Sequence, residues 1–224
     1  MKDHQPSPTI EDYLWIIFVL ERDGETVIGA KLAELLEVSA PTVTVTLKRM
    51  LRDKWITINN KKQVKLTSLG KEAARSVIRR HMLTEWMLAR NFDVPWSQLH
   101  AEAHKIEHTI SNDVADRLQT RLDDPKLCPH GNPLPGHENI AENWVPLIAV
   151  PEGNKVIIRR IHEIAEQNPE FLSFLEKNDI LPGTCITVKE MLDFNETLSI
   201  RVDNKIVSLG LKTAEKIFVE FSTE

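Results

Sequence analysis

Hydrophobic positions follow a helical period from residue 9 to 51, alternate briefly from 55 to 66, return to a helical period from 69 to 122, and alternate again from 155 to 221. The first block predicts three helices. TIEDYLWIIFVLERDGE reads as a buried helix that stops near Asp23-Gly24, with Thr9 as N-cap and Glu11-Asp12 suiting its positive end. VIGAKLAELLEV spaces Leu32, Leu35, Leu36 and Val38 as a short helix. Ser39 then caps a third, PTVTVTLKRMLRDKW, with Pro41 in its first turn. Val43, Leu47, Met50 and Leu51 of this third helix face a core, and Thr42, Thr44, Val45 and Lys48 lie opposite.

WITINNKKQVKLT follows as two β runs around Asn59-Asn60 and Lys61-Lys62. Two short helices, a tight link and a basic hairpin predict a winged helix-turn-helix. Charge supports a polyanionic partner. Residues 44 to 80 carry eleven Lys/Arg against Asp53 and Glu72, in a chain whose formal net charge is −5. Lys and Arg neutralising phosphates drive nucleic-acid affinity. The expected contacts to double-stranded DNA are Ser39, Pro41, Thr42, Thr44 and Lys48 of the third helix, with Lys61 and Lys62 on the wing. Val45 would offer a thymine methyl only apolar contact.

Beyond the wing, SLGKEAARSVIRRHMLTEWMLARNF predicts a long helix, Asp93-Val94-Pro95 a break, and LHAEAHKIEHTISNDVADRLQTRL a further helix. Trp86, Met87, Phe92, Val94, Trp96 and Leu99 are more large apolar groups than a two-helix unit buries alone, so a homodimer interface is expected there. Residues 125 to 150 are rich in Pro and Gly and read as a linker. Five short β runs and one helix, PEFLSFLEKND, then predict a small, partly closed barrel. The fold class is α+β, in four parts: 1–75 winged helix-turn-helix, 76–124 helical dimerisation and metal-binding domain, 125–150 linker, 151–224 SH3-like barrel.

No apolar run of about 18 residues and no signal-peptide pattern at the N-terminus point to a cytoplasmic protein without membrane contact. Two cysteines, Cys128 and Cys185, give no disulfide framework.

The remaining signal is chemical. His100, His104, Glu107 and His108 fall within three helical turns, and positions three and four apart share a face. RHMLTE places His81 and Glu85 four apart in the preceding helix. Four of the eight histidines fall between residues 81 and 108. Imidazoles with carboxylates are ligands for Mn, Fe, Co, Ni or Zn. A metal beside a DNA-binding domain suggests a sensor. The rivals are a permanently occupied structural zinc and a metal-dependent hydrolase. The carboxylates lack the HExxH spacing, and no nucleophile motif or small-molecule substrate site accompanies them, so no catalytic residue is expected.

TIEDYL, SAPTVT, RHMLTE, HAEAHKIEH and GNPLPG occur in the order winged helix, helical domain, barrel. Together they resemble the DtxR/MntR-type family of metal-dependent transcriptional repressors across nearly the whole chain. The resemblance implies a dimer binding a palindromic operator, repressing metal-homeostasis genes, with two metal sites per subunit. The regulatory site would use Asp12, His104, Glu107 and His108. Asp12 matches the manganese branch, where the iron branch has Met; His104 matches neither, since those branches carry Glu or Cys there. Mn(II) is thus the first expectation, with Fe(II) as alternative and Co(II) or Zn(II) as substitutes. The ancillary site would use His81, Glu85 and His100. The iron branch's anion-holding Arg and Ser are replaced by Met82 and Cys128, and CPHG supplies Cys128 and His130 instead. Glu166, Gln167 or Glu170 would complete that site.

Overall fold

The computed structural model describes residues 6–222. They form two units: one runs to Arg80 and takes in Glu107–Asn112, and the other comprises His81–Ile106 and everything from Asp113 onward.

In the first unit, α1 (Pro8–Arg22), α2 (Gly29–Leu35) and α3 (Ala40–Arg52) precede a hairpin of β1 (Ile56–Ile58) and β2 (Val64–Leu66). This is the winged helix-turn-helix the pattern predicts. Helix α1 buries Ile10, Tyr13, Leu14, Ile16, Ile17, Val19 and Leu20. It is therefore the centre of this core, each large apolar side chain contributing about 1.5–3 kcal/mol. Its N-cap position is Ser7, not Thr9, because Pro8 occupies the first helical position, where its missing N–H costs nothing.

Helix α3 starts as expected: Ser39 accepts from the Thr42 N–H at 3.3 Å, with Pro41 in the first turn. Its buried face is Val43, Thr46, Leu47 and Met50, and Leu51 is exposed, contrary to the sequence expectation. Leu51 sits at the margin of the stripe. Thr46 is accommodated inside because its hydroxyl donates to the Thr42 carbonyl at 3.0 Å. In the wing, β1 and β2 pair antiparallel, with Ile56 opposite Leu66 and Ile58 opposite Val64. Asn59 Oδ1 accepts from the N–H groups of Lys61 (2.9 Å) and Gln63 (3.0 Å), which fixes the turn that displays Lys61 and Lys62.

Helix α4 (Ser68–Asn91) is the long helix expected, and it runs on into the second unit. The segment after Pro95 is not one helix. Helix α5 (Leu99–Ile106) ends before Glu107, a 3-10 turn covers Glu107–Thr109, and α6 (Asn112–Arg121) begins anew. Thr109 and Ile110 are β-branched, and Ser111 and Asn112 compete for backbone hydrogen bonds, so helix continuation is disfavoured where no Gly or Pro marks a break.

The rest of the second unit contains β3 (Val145–Pro146), β4 (Lys155–Ile161), α7 (Glu163–Glu166), α8 (Pro169–Lys177), β5 (Cys185–Leu192), β6 (Thr197–Val202), β7 (Lys205–Gly210), α9 (Leu211–Ala214) and β8 (Ile217–Phe221). The five β runs are β4 to β8. A sixth strand, β3, pairs with β8, giving one antiparallel sheet ordered β3-β8-β4-β5-β6-β7. Val156, Ile158, Ile186, Val188, Leu198, Ile200, Ile217 and Val219 fill its core.

Residues 126–134 are not a loose connector, as their Pro and Gly content suggested. Leu127 and Pro133 form a bridge, Cys128 N–H donates to the Asn132 carbonyl at 2.8 Å, and Gly131 N–H donates to the Cys128 carbonyl at 2.9 Å. Pro129 and Gly131 occupy the second and fourth positions of that tight turn, where each is favoured. Trp86 Nε1 donates to the Leu127 carbonyl at 2.7 Å and Trp96 Nε1 to the Pro129 carbonyl at 2.9 Å. Two of the aromatic residues expected to face a dimer partner are thus partly spent anchoring this turn.

Gly131 has φ +89°, and a Cβ there would lie 1.9 Å from the Arg159 carbonyl oxygen. Gly131→Ala is expected to lower the unfolding temperature by about 5 °C or more, since left-handed strain alone costs about 1–2 kcal/mol. Thermal unfolding followed by circular dichroism checks it; an unchanged midpoint contradicts the tight packing of this turn.

Candidate metal centres and nucleic-acid interface

In the first unit, α1 and the 107–109 turn bring Asp12, Glu107 and His108 together, their ligand atoms lying within 4.8 Å of one another. His108 Nε2 is 3.3 Å from Asp12 Oδ1 and 3.5 Å from Glu107 Oε1. The opposite ring nitrogen, Nδ1, is 2.6 Å from Glu11 Oε2, and Glu11 Oε1 accepts from Arg80 Nη2 at 2.5 Å. Arg80 Nε also donates to the Glu107 carbonyl at 3.2 Å. A carboxylate on Nδ1 sets the ring so that Nε2 faces the other carboxylates, the usual arrangement behind a ligating histidine. Sequence reasoning gave Glu11 only a helix-dipole role; its partners come from 69 and 97 residues away. His104 stands in the last turn of α5, exposed, three residues ahead of Glu107.

His100 does not share a site with His108. It belongs to a second cluster, wholly in the second unit, with His81, Glu85 and Glu166. His81 Nε2 lies 3.0 Å from His100 Nδ1 and 3.2 Å from Glu85 Oε1. His100 Nδ1 lies 3.0 Å from Glu166 Oε2. Glu166 ends α7 and is buried, whereas Gln167 and Glu170 are exposed and lie outside the cluster. A helical turn before Pro169 points Glu166 inward, and one residue further along the chain points out.

Cys128 and His130 join Glu85 in an adjoining group. His130 is fully buried; its Nε2 donates to the Trp96 carbonyl at 3.2 Å, and Nδ1 faces Glu85 Oε1 at 3.1 Å and Glu166 Oε2 at 3.6 Å. Asn132 Nδ2 donates to Glu166 Oε1 at 2.5 Å, and Arg160 Nη1 donates to Asn132 Oδ1 at 3.1 Å, an orienting chain the sequence did not reveal.

The electrostatics suit a cation. Burial would lower the His130 pKa, but the Glu166 and Glu85 carboxylates raise it to about 9. Burial would raise that of Glu85, yet His130, His81 and His100 hold it well below the carboxylate range. Burial, with Glu85 and Glu166 nearby, pushes the Cys128 thiol well above its ordinary value. Glu85 Oε2 is buried without a hydrogen-bond partner. Three imidazoles, two carboxylates and a thiol around an unsatisfied oxygen are the donor set of a transition-metal site.

The third helix leaves Pro41, Thr42, Thr44, Val45 and Lys48 exposed, Val45 at 68%. Thr44 Oγ1 donates to the Ala40 carbonyl at 2.9 Å, and Ser39 and Thr42 hydroxyls lie 2.8 Å apart. The wing exposes Lys61 and Lys62.

Three family models match in succession: the iron-dependent repressor N-terminal DNA-binding domain over residues 6–64, the iron-dependent repressor metal-binding and dimerisation domain over 67–136, and the FeoA domain over 145–221. The iron-dependent repressor IdeR of Mycobacterium leprae is 34% identical over 192 residues, covering 81% of this chain and 84% of IdeR. The chain belongs to the DtxR/MntR family of metal-dependent transcriptional repressors. Among solved structures, a manganese-dependent transcriptional repressor in complex with manganese has a TM-score of 0.84 and 26% identity, covering 95% of this chain and 100% of that one. The repressor ScaR with bound Zn2+ has a TM-score of 0.82 and 30% identity, covering 95% and 99%. The FeoA match accounts for the barrel. Among the described residues no helix of this family member is long and apolar enough to cross a membrane.

Proposed function

We propose that this repressor senses Mn(II) or Fe(II) through Asp12, His104, Glu107 and His108, and binds a palindromic operator as a homodimer when loaded. The observation that carries the reading is Asp12, from the first helix of the DNA-binding domain, meeting His108 Nε2 at 3.3 Å beside the buried Glu107. His104 precedes Glu107 by one helical turn, the spacing at which a fourth donor joins. Bound there, a divalent cation supplies positive charge between carboxylates that otherwise repel. Glu11 holds the His108 ring, and Arg80 holds both Glu11 and the Glu107 carbonyl, so the ligands are oriented beforehand. The two carboxylates, Asp12 and Glu107, favour Mn(II); the second imidazole, that of His104, brings Fe(II) within range, with Co(II) or Zn(II) as substitutes. The ancillary ligands are His81, Glu85, His100, Glu166, Cys128 and His130.

At the DNA, α3 enters the major groove with Ser39, Pro41, Thr42, Thr44 and Lys48, and the wing meets the backbone with Lys61 and Lys62. Lys61→Ala with Lys62→Ala removes four wing lysines per dimer, and is expected to weaken binding alike across duplex sequences and to reduce the slope of log affinity against log salt by about 4. An unchanged salt slope contradicts the wing contact.

Selection of duplexes from a random pool by Mn(II)- or Fe(II)-loaded protein tests the function. Enrichment of an inverted repeat with half-sites one helical turn or a multiple apart is expected. Equal recovery of all sequences with and without metal contradicts it.

A further inference from the structure

The barrel at the end of the chain is tied to helix α5 by more than the peptide that joins them. Glu176, in the last turn of α8, meets residues 79 and 80 positions earlier in the sequence, all within the second unit. Its Oε1 accepts from the Trp96 N–H at 3.0 Å and its Oε2 from the Ser97 hydroxyl at 2.6 Å. Trp96–Gln98 is the tight turn from which α5 starts at Leu99. The first N–H groups of a helical segment find no partner inside it. Pro95, in the position before the turn, supplies no side-chain cap. The barrel's carboxylate takes that place, with its charge at the positive end of the helix.

Trp96 makes the same junction on its apolar side. Its side chain packs on the barrel core and also on the cluster of Leu88, Leu99 and Ala103 between α4 and α5. Its Nε1 is committed to the Pro129 carbonyl at 2.9 Å. Ser97 is buried, and a hydroxyl bonded to a carboxylate out of water is a strong, direction-setting contact. Ser97 precedes His100 by three residues, so both lie on one face of the same helical run. His81 and Glu85, by contrast, stand on α4. The 3.0 Å separation of His81 Nε2 and His100 Nδ1 therefore depends on how α5 leaves its first turn.

We infer that Glu176 is a positioning residue for the second cluster: it fixes the start of α5, and through that helix the place of His100 opposite His81 and Glu85. The FeoA-like barrel then acts as a brace on a ligand-bearing helix, a role separate from supplying Glu166. Glu176 is not a member of the cluster and acts only through the helix. The brace rests on the proposed metal-binding reading, and linkage makes it reciprocal: an ion that draws His100 into place also holds the start of α5 against the barrel.

Zn(II), buffered by a chelator, is titrated into the full-length protein, and the imidazole resonances of His100 and His108 report the two clusters separately. Glu176→Ala is expected to raise the Zn(II) concentration at half-change of His100 by about 10- to 100-fold, the usual loss when an outer partner of a ligand is removed. The midpoint of His108, beyond the end of α5 and held by Glu11, should move by less than about threefold. Glu176→Gln keeps an oxygen acceptor and should recover most of the loss. In the wild type, Zn(II) should slow hydrogen exchange of the Trp96 amide; exchange that ignores the ion contradicts the brace. Circular dichroism establishes that each variant folds. Should Glu176→Ala unfold, Ser97→Ala, which deletes one of the two bonds, is expected to shift His100 by about threefold or more. An unchanged His100 midpoint with a lowered unfolding temperature, or equal shifts at His100 and His108, overturns the brace and leaves the metal-binding reading intact. Wild-type His100 resonances that ignore Zn(II) overturn that reading, and the brace with it.

Discussion

Asp12→Ala is expected to abolish the response of DNA binding to metal, reducing the difference in operator affinity between loaded and chelated protein to less than about twofold. Asp12 is part-exposed, just past the first turn of α1, and is not among the helix's buried residues, so its removal takes away no core packing. It does take away the proposed ligand, the one through which an ion would tie the first helix of the DNA-binding domain to Glu107 and His108. An ion can shift a conformational equilibrium only by its differential affinity for the two states, and a tenfold shift corresponds to about 1.4 kcal/mol of coupling. With Asp12 gone, the Glu107–His108 pair still attracts a cation but no longer anchors α1 through it. Far-ultraviolet circular dichroism and sedimentation should show fold and assembly unchanged. Anisotropy of a labelled operator then measures the response; a variant that still gains full affinity with metal contradicts the role of Asp12.

The second large effect concerns the pH dependence of the chelated protein. His130 has its folded pKa raised from 6.5 to about 9. Its contribution to stability is therefore fully present below pH 6.5 and lost as pH rises through 9. Glu85, held below its ordinary 4.5, contributes above that value and loses its contribution as pH falls through the lower folded value. The chelated protein should be most stable between about pH 4.5 and 6.5, declining by up to about 3 kcal/mol toward pH 9. Loaded protein should show the opposite trend over the same interval, because its ligands must be deprotonated and the ion replaces the proton. Urea unfolding at a series of pH values, with chelator and with Mn(II), measures both slopes. Parallel slopes contradict the cluster as a cation site.

Much of this was legible in the sequence because it is local. The apolar period of residues 9–51, the Ser39-Pro41 cap and the basic hairpin define the winged helix within about sixty residues. Glu107 and His108 follow from their spacing, and Asp12 from the family resemblance alone. Spacing alone put His100, His104 and His108 on one face; the family resemblance separated His100, and the helix ends at Ile106, with no Gly or Pro signal, short of His108. Glu166 was indistinguishable from Gln167 and Glu170, because the direction of a single helical turn depends on tertiary packing around His162 and Pro169. Composition misread residues 126–134: proline and glycine served there as turn residues beneath two tryptophans. Glu11 and Asn132 were missed for one reason. An orienting side chain is defined by its partners, and those lie far away in sequence.

The central claim is that metal occupancy of this chain's own ligands switches DNA binding. Operator affinity of chelated protein, measured by fluorescence anisotropy during separate titrations with Mn(II), anaerobic Fe(II), Co(II) and Zn(II), and again after chelator is restored, tests it directly. The expected result is binding that rises at least tenfold with micromolar Mn(II) or Fe(II) and reverses on chelation, with the circular dichroism unchanged. Affinity that ignores metal, or a protein that unfolds when stripped as a structural zinc site would, contradicts it.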